Sequence, residues 1–243
     1  MENNEKLESS ATYKKMSAAE WLDNYWYHYK WHTIVALFIL IVGVICTLQM
    51  CSKTTYDGYV LYAGEHPIDN TSSDSSYHTM ISAFKLVCED YDENGTVSPV
   101  FKNLLVPSSE ESGKLIDKGY DKLISMNTEE YREIMAYSSE YYICFLSEDL
   151  FLSYDTPTSS GAYPLCDLEQ YLPEGSDAQM ISPRGIYLSS TDFYKLAGIN
   201  ELPEDTVICL KAKLKLPGAS GADEAFESSV DMLKKILAYE HEE

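Results

Sequence analysis

The sequence predicts an α/β protein: an N-terminal transmembrane helix followed by one small α/β domain with a mainly parallel sheet. Three observations carry that expectation. Residues Thr33 to Met50, TIVALFILIVGVICTLQM, form an uncharged apolar run of 18 residues, about the length a helix needs to cross a hydrocarbon layer. From Tyr59 to Val106 a short apolar stretch, an amphipathic stretch and a second apolar stretch follow one another, which is the order of a β-α-β unit. Tyr141 to Leu146 is then unbroken apolar sequence rich in β-formers, the pattern of a strand buried on both faces.

The apolar run sets the organisation. No polar residue interrupts Ile34 to Ile45, so the run lacks the polar face that a core helix of a soluble protein would show. All three tryptophans lie just before it. Trp21, Tyr25, Trp26, Tyr27, Tyr29, Lys30 and Trp31 are expected at the membrane interface, where an apolar ring and a polar tip are both satisfied. Ser17-Ala18-Ala19-Glu20 has capping-box spacing, so one helix is expected from about Ala18 to Cys51. The expected organisation is a tail over 1–17, an aromatic juxtamembrane helix over 18–32, a transmembrane helix over 33–51 in the lipid bilayer and an extracytoplasmic domain over 52–243.

Orientation follows from lysines. Lys14, Lys15 and Lys30 precede the span closely, and Lys53 alone follows closely, which places the N-terminus in the cytoplasm. A cleaved signal peptide is the competing reading. The long region before the run and the lack of a small-x-small site after it count against that alternative. Leu48 to Cys51 has the outline of a lipoprotein box, but Met50 is large for the position before Cys51.

Charge limits the partners. The chain carries 18 basic and 39 acidic residues, and beyond His32 there remain 14 and 34. That balance argues against nucleic acid and anionic lipid headgroups as partners of the domain. It is compatible with a solvated extracytoplasmic domain, or with partners that are cationic or bring metal ions; the partner expected of the domain is a small solute or an envelope protein. Cys88, Cys144, Cys166 and Cys209 are widely spaced with no C-x-x-C pair, so no zinc site is expected; free thiols are favoured over two disulfides of undetermined connectivity.

Within the domain, Tyr59 to Ala63 reads as a buried strand. Tyr77, Met80, Ile81, Phe84, Val87 and Cys88 recur at helical spacing over 75–90, and Thr96 to Val106 reads as the next strand. Ser108 to Asn127 has a helical pattern in Leu115, Ile116, Tyr120, Leu123 and Ile124, interrupted by Gly113 and Gly119. Asn127-Thr128-Glu129-Glu130 has the look of a cap opening a helix through Tyr137. Gly185 to Leu188 is strand-like, Ser190 to Leu196 a capped turn of helix, and Thr206 to Leu216 a longer strand. The alternating Lys211, Lys213 and Lys215 at its outer end suit an exposed or edge face, which they protect from pairing. Phe226, Val230, Leu233 and Ile236 or Leu237 give Ala222 to Tyr239 an apolar face to lay across the sheet.

The strand Tyr142 to Leu146, the helix-like Ser147-Glu148-Asp149-Leu150-Phe151, a loop and then Gly161-Ala162-Tyr163-Pro164-Leu165-Cys166-Asp167-Leu168 resemble a stretch of the extracellular solute-binding proteins of ABC importers. The upstream β-α-β order is similar to the start of the same fold, and the likeness covers about half of the domain. It implies a membrane-anchored binding or accessory module. Those proteins close two lobes on a ligand, whereas about seventy residues after Tyr171 are too few for a second lobe, so a single lobe is implied. The aromatic segment before the span is similar to that of short single-pass membrane proteins of Gram-positive bacteria, a likeness that brings no activity with it.

In an open α/β sheet a ligand sits beyond the carboxyl ends of the parallel strands. The expected binding residues are therefore Gly64, Glu65 and His66 after the first strand and Ser147, Glu148 and Asp149 after the central one. Calcium is the one cofactor suggested: Asp90, Asp92, Asn94 and Thr96 match the opening of a calcium loop, with Gly95 at its sixth position. Phe101 stands where the bidentate glutamate belongs, so the ligand set is incomplete and a plain Asn-Gly turn competes. No catalytic residues are assigned, because G-x-S-x-G, H-E-x-x-H and phosphate-cradling glycine loops are missing. The adjacent pairs Glu65-His66 and Glu148-Asp149 would have to converge in a cleft for a hydrolase reading to hold.

Overall fold

The computed structural model describes residues 17–51 (side chains to 47), 56–66, 68, 76–91, 93–213 and 222–240. The tail, Lys14 and Lys15, the lipoprotein-box residues' side chains, Asp92 and Lys215 lie outside the described residues or atoms. Two compact units are present, 1–54 and 55–243.

The first unit is a helix, α1, Ala18–Cys51, long and apolar enough to cross a membrane. Its start is the capping box expected from the sequence: Glu20 N–H donates to Ser17 Oγ at 3.2 Å, and Ser17 N–H donates to Glu20 Oε2 at 2.9 Å. The helix's 34 residues correspond to about 51 Å at 1.5 Å per residue, well beyond a hydrocarbon core. Its first turns carry a ladder of stacked rings, Trp21 on Tyr25 and Tyr25 on Tyr29, with centroids 5.6 and 5.3 Å apart.

The second unit is a six-stranded sheet with helices on both faces. In chain order its elements are β1 (Gly58–Gly64), α2 (Ser76–Val87), β2 (Pro99–Leu105), α3 (Ser109–Ile116), α4 (Asp121–Tyr137), β3 (Ile143–Ser147), α5 (Glu148–Tyr154), β4 (Met180–Ser182), β5 (Gly185–Tyr187), α6 (Asp192–Leu196), β6 (Thr206–Leu210) and α7 (Ala222–Leu237). The strand order is β2-β1-β3-β6-β5-β4. As expected, β1 and β2 pair in parallel across α2, and β3 is fully buried and central.

The sheet is nevertheless mixed, which corrects the mainly parallel expectation: β6, β5 and β4 each run antiparallel to the preceding neighbour. The reason lies in the connections. Only Pro183 and Arg184 separate β4 from β5, and a link that short can only reverse the chain. The long passage from β3 through α5, β4, β5 and α6 delivers β6 at the end of the sheet where β3 finished, so β6 must run back down.

Alternate residues face two cores. Val60, Tyr62, Phe101, Ile143, Phe145, Ile208 and Ile186 meet α2, α6 and α7 through Phe84, Phe193, Met232 and Leu233. Leu61, Ala63, Cys144, Leu146, Val207 and Cys209 meet α4 and α5 through Tyr131, Met135 and Phe151.

Two further expectations change. Asn127 does not open a helix; it lies inside α4. The break falls earlier, where Gly119 takes φ +87° and the N–H groups of Gly119 and Tyr120 close onto the carbonyls of Ile116 and Leu115. Lys211 does not lie on an exposed or edge face either, because β6 beside it is interior and Lys211 is 1% exposed; Lys213 is exposed as expected. The Lys211 stem packs under α4, and its charge finds main-chain carbonyls there.

Candidate binding crevice at the switch point

The order β2-β1-β3 places a topological switch point between β1 and β3: the chain leaves β1 toward one edge and later returns to β1's other side as β3. α2, which follows β1, packs on one face, while α5, which follows β3, packs on the other. The two exits therefore diverge, and the space beyond them is where open α/β sheets commonly place a ligand. Ala63 pairs with Leu146, so Gly64 and Ser147 end side by side, and the two expected triplets follow neighbouring strand ends.

Gly64 allows the tight packing here. A Cβ on it would lie 2.7 Å from the Tyr62 hydroxyl, so glycine lets the Tyr62 ring fold over the strand end. That hydroxyl bonds to the main chain of His66, and burial pushes the phenol pKa up, with the charges of Asp205 and Glu65 adding to the shift. The imidazole of His66 is exposed. Glu65 accepts the Ser108 N–H at 3.0 Å, and Val106 N–H donates to the Gly64 carbonyl at 2.8 Å, tying the exits of β1 and β2 together.

On the other side, Glu148 Oε2 accepts the Tyr187 hydroxyl at 3.0 Å. Desolvation first, and then that carboxylate, raises the Tyr187 pKa. Asp149 is exposed and Ser147 is almost buried. Asp205 adds its charge to both Tyr62 and Tyr187, so it stands over the same end of the sheet. Thr206 pairs with Ser147 across β3 and β6 and is 1% exposed, yet its Oγ1 has no hydrogen-bond partner.

Tyr187, Asp205 and Thr206 had no signal in the sequence. Tyr187 sits in a three-residue strand, and the other two precede or open a strand whose direction only the sheet reveals. This end of the sheet carries the carboxylates of Glu65, Glu148 and Asp205 and the hydroxyls of Tyr62, Tyr187 and Thr206. That chemistry suits a solute rich in hydrogen-bond donors. Glu65 and Glu148 point to separate partners, so the convergence a hydrolase needs is not formed by them.

At the suggested calcium loop, Asp90 accepts from the N–H groups of Asn94 at 3.0 Å and Gly95 at 2.7 Å. Asn94 Oδ1 in turn accepts from Thr96 N–H at 2.9 Å and from its hydroxyl. These oxygens serve the turn, and among the described residues no three His, Cys, Asp or Glu side chains gather as metal ligands. A second depression, of about 330 Å³, lies between residues 173–178, the start of α6 and the end of α7. It holds Glu174, Asp177, Glu240 and the Asp192–Lys195 pair.

In comparisons with known proteins, no family model, curated protein or solved structure matches the chain.

Proposed function

We infer that this chain is a single-pass membrane protein, N-terminus in the cytoplasm, whose α/β domain outside the cell binds a small, donor-rich or cationic solute in the β1/β3 crevice. The observation that supports this best is the switch point itself, with Gly64, Glu65 and His66 on one side and Ser147, Glu148 and Asp149 on the other. The unpartnered hydroxyl of Thr206 below it adds weight, because a buried polar atom without a partner is uncommon. The anchoring follows from α1, whose apolar run spans the hydrocarbon and whose aromatic rings and Lys30 lie toward the cytoplasmic interface.

The test is thermal melting of the full chain in lipid nanodiscs against amines, amino acids, sugars and short cationic peptides. A ligand at 100 times its Kd stabilises by about 2.7 kcal/mol, a clear rise in Tm. The rise should vanish in Glu148→Gln. No shift across the panel, or a shift that survives Glu148→Gln together with His66→Ala, overturns the reading. For topology, protease applied to intact cells should cut near Tyr154 and spare the N-terminal tail.

A further inference from the structure

Face to face on β3 and β6, Cys144 and Cys209 are register partners, both wholly buried and reduced. Cys209 Sγ approaches the Cys144 carbonyl at 3.6 Å, and Cys144 Sγ lies 3.8 Å from Met135 Sδ on α4. Cys144 thus touches both Cys209 and Met135, within one dry cluster beneath α4. The separation of the sulfurs is informative. Metal–sulfur bonds of about 2.3 Å at 120° put sulfurs about 4 Å apart, close to the spacing already present between Cys144 and Met135.

Two other features converge there. Tyr131, on α4 one turn before Met135, is 6% exposed, and its hydroxyl has no hydrogen-bond partner. It packs in the same buried cluster as Cys144 and Cys209. The ammonium of Lys211, held by carbonyls at the end of α4, acts on Cys144 as well.

We propose that Met135, Cys144 and Cys209 form a trigonal site for a soft monovalent metal ion, Cu(I). Two thiolates and a thioether are the ligand set such an ion selects over harder divalent metals, and the site has no fourth donor to complete a zinc tetrahedron. Binding displaces two protons: Cu(I) and two thiols give a bis-thiolate complex of charge −1 and two H⁺. Lys211 supplies the countercharge. The Tyr131 hydroxyl gains what it lacks, because a thiolate sulfur accepts a hydrogen bond far better than a thiol; outer contacts of this kind orient and tune metal ligands. No electron transfer is involved. The site is separate from the crevice and does not depend on a solute binding there.

The test uses the reduced full chain in nanodiscs, with Cys46, Cys51, Cys88 and Cys166 changed to alanine, titrated with Cu(I) against a chromophoric Cu(I) chelator. The expected result is one copper per chain, with X-ray absorption showing three sulfur neighbours at about 2.3 Å. Cys144→Ser and Cys209→Ser should each abolish retention. Met135→Leu conserves volume and fold; it should weaken binding at least tenfold and reduce the sulfur count to two. Failure of the parent to hold copper against the chelator overturns the proposal. So does retention that either serine variant leaves intact, or a Met135→Leu protein with unchanged affinity and three sulfurs. Should the serine variants fail to fold, the Met135→Leu arm decides alone.

Discussion

The Lys211 ammonium donates to the Ser138 carbonyl at 2.7 Å and also reaches the Ile134 carbonyl at 2.8 Å. A strand lysine thereby closes the C-terminal end of α4, where carbonyls lack helical partners and a positive charge meets the negative end of the helix dipole. Lys211→Met keeps the buried stem and removes the donor. It should lower the unfolding free energy by about 1–3 kcal/mol through unsatisfied buried carbonyls. Lys213→Met, which breaks an exposed pair with Asp223 and a contact of the ammonium with the Phe226 ring, should change it much less. Urea denaturation of both proteins measures the contrast, and equal effects would contradict it.

Gly185 opens β5 beneath α5. A Cβ there would lie 2.4 Å from Phe151 Cζ and 2.8 Å from Val207 Cγ1, so Gly185→Ala should destabilise by about 1–3 kcal/mol through overpacking. Gly113, within α3, has no heavy atom within 4 Å of its Cβ position. Gly113→Ala should stabilise by about 0.5–1 kcal/mol. Opposite signs in the two melts are the expected outcome.

Asp57 is 3% exposed and fastens both ends of the 91–98 loop: Oδ1 accepts Tyr91 N–H at 2.9 Å and Oδ2 accepts Ser98 N–H at 2.7 Å. Hydrogen bonds to a charged group contribute about 1.5–3 kcal/mol each. Asp57→Ala should cost at least one such increment, and amide exchange at Tyr91 and Ser98 should accelerate selectively. Exchange that quickens uniformly across the domain would point to global loosening instead.

The domain should lose stability in alkali. Burial pushes Cys88, Tyr91 and Tyr141 up to about 12, aided by the charges of Asp57, Glu89 and Glu140 respectively. In the unfolded chain these groups titrate near their ordinary values, so above about pH 9–10 the folded state holds more protons and stability falls until about pH 12. Lys211 acts in the opposite sense: burial lowers its amine to about 8, so it adds stability as pH rises from about 8 to 10.5. The steep fall is therefore expected above about pH 10.5. Denaturation midpoints measured from pH 8 to 12 test this, and a midpoint that climbs above pH 10.5 would refute it.

Local patterning was legible in the residues. Helical spacing over Tyr77, Met80, Ile81, Phe84, Val87 and Cys88 places α2, and of the helix positions among them Met80, Phe84 and Val87 are buried. The Ser17–Glu20 box likewise specifies its own geometry within one turn. Gly64 and Ser147 could be put at one end of a sheet, since parallel strands joined by helices must finish together. Tyr187 over Glu148 could not be foreseen, nor could Cys144 opposite Cys209. Those contacts join strands far apart in the chain, and a shift of one residue in register would turn every side chain to the other face.

What the sequence by itself determined is what neighbouring residues decide: the long apolar helix and its cap, the β-α-β opening, the buried central strand and the acidity of the domain. Tertiary structure alone decided the direction of β6, the burial of Lys211 and the meeting of Met135, Cys144 and Cys209. Strand direction depends on where a long connection delivers the chain. The fate of a lysine depends on whether the chain beside it is covered, and Lys211 became interior only because the distant Leu165 segment pairs beside it and the end of α4 closes over its ammonium.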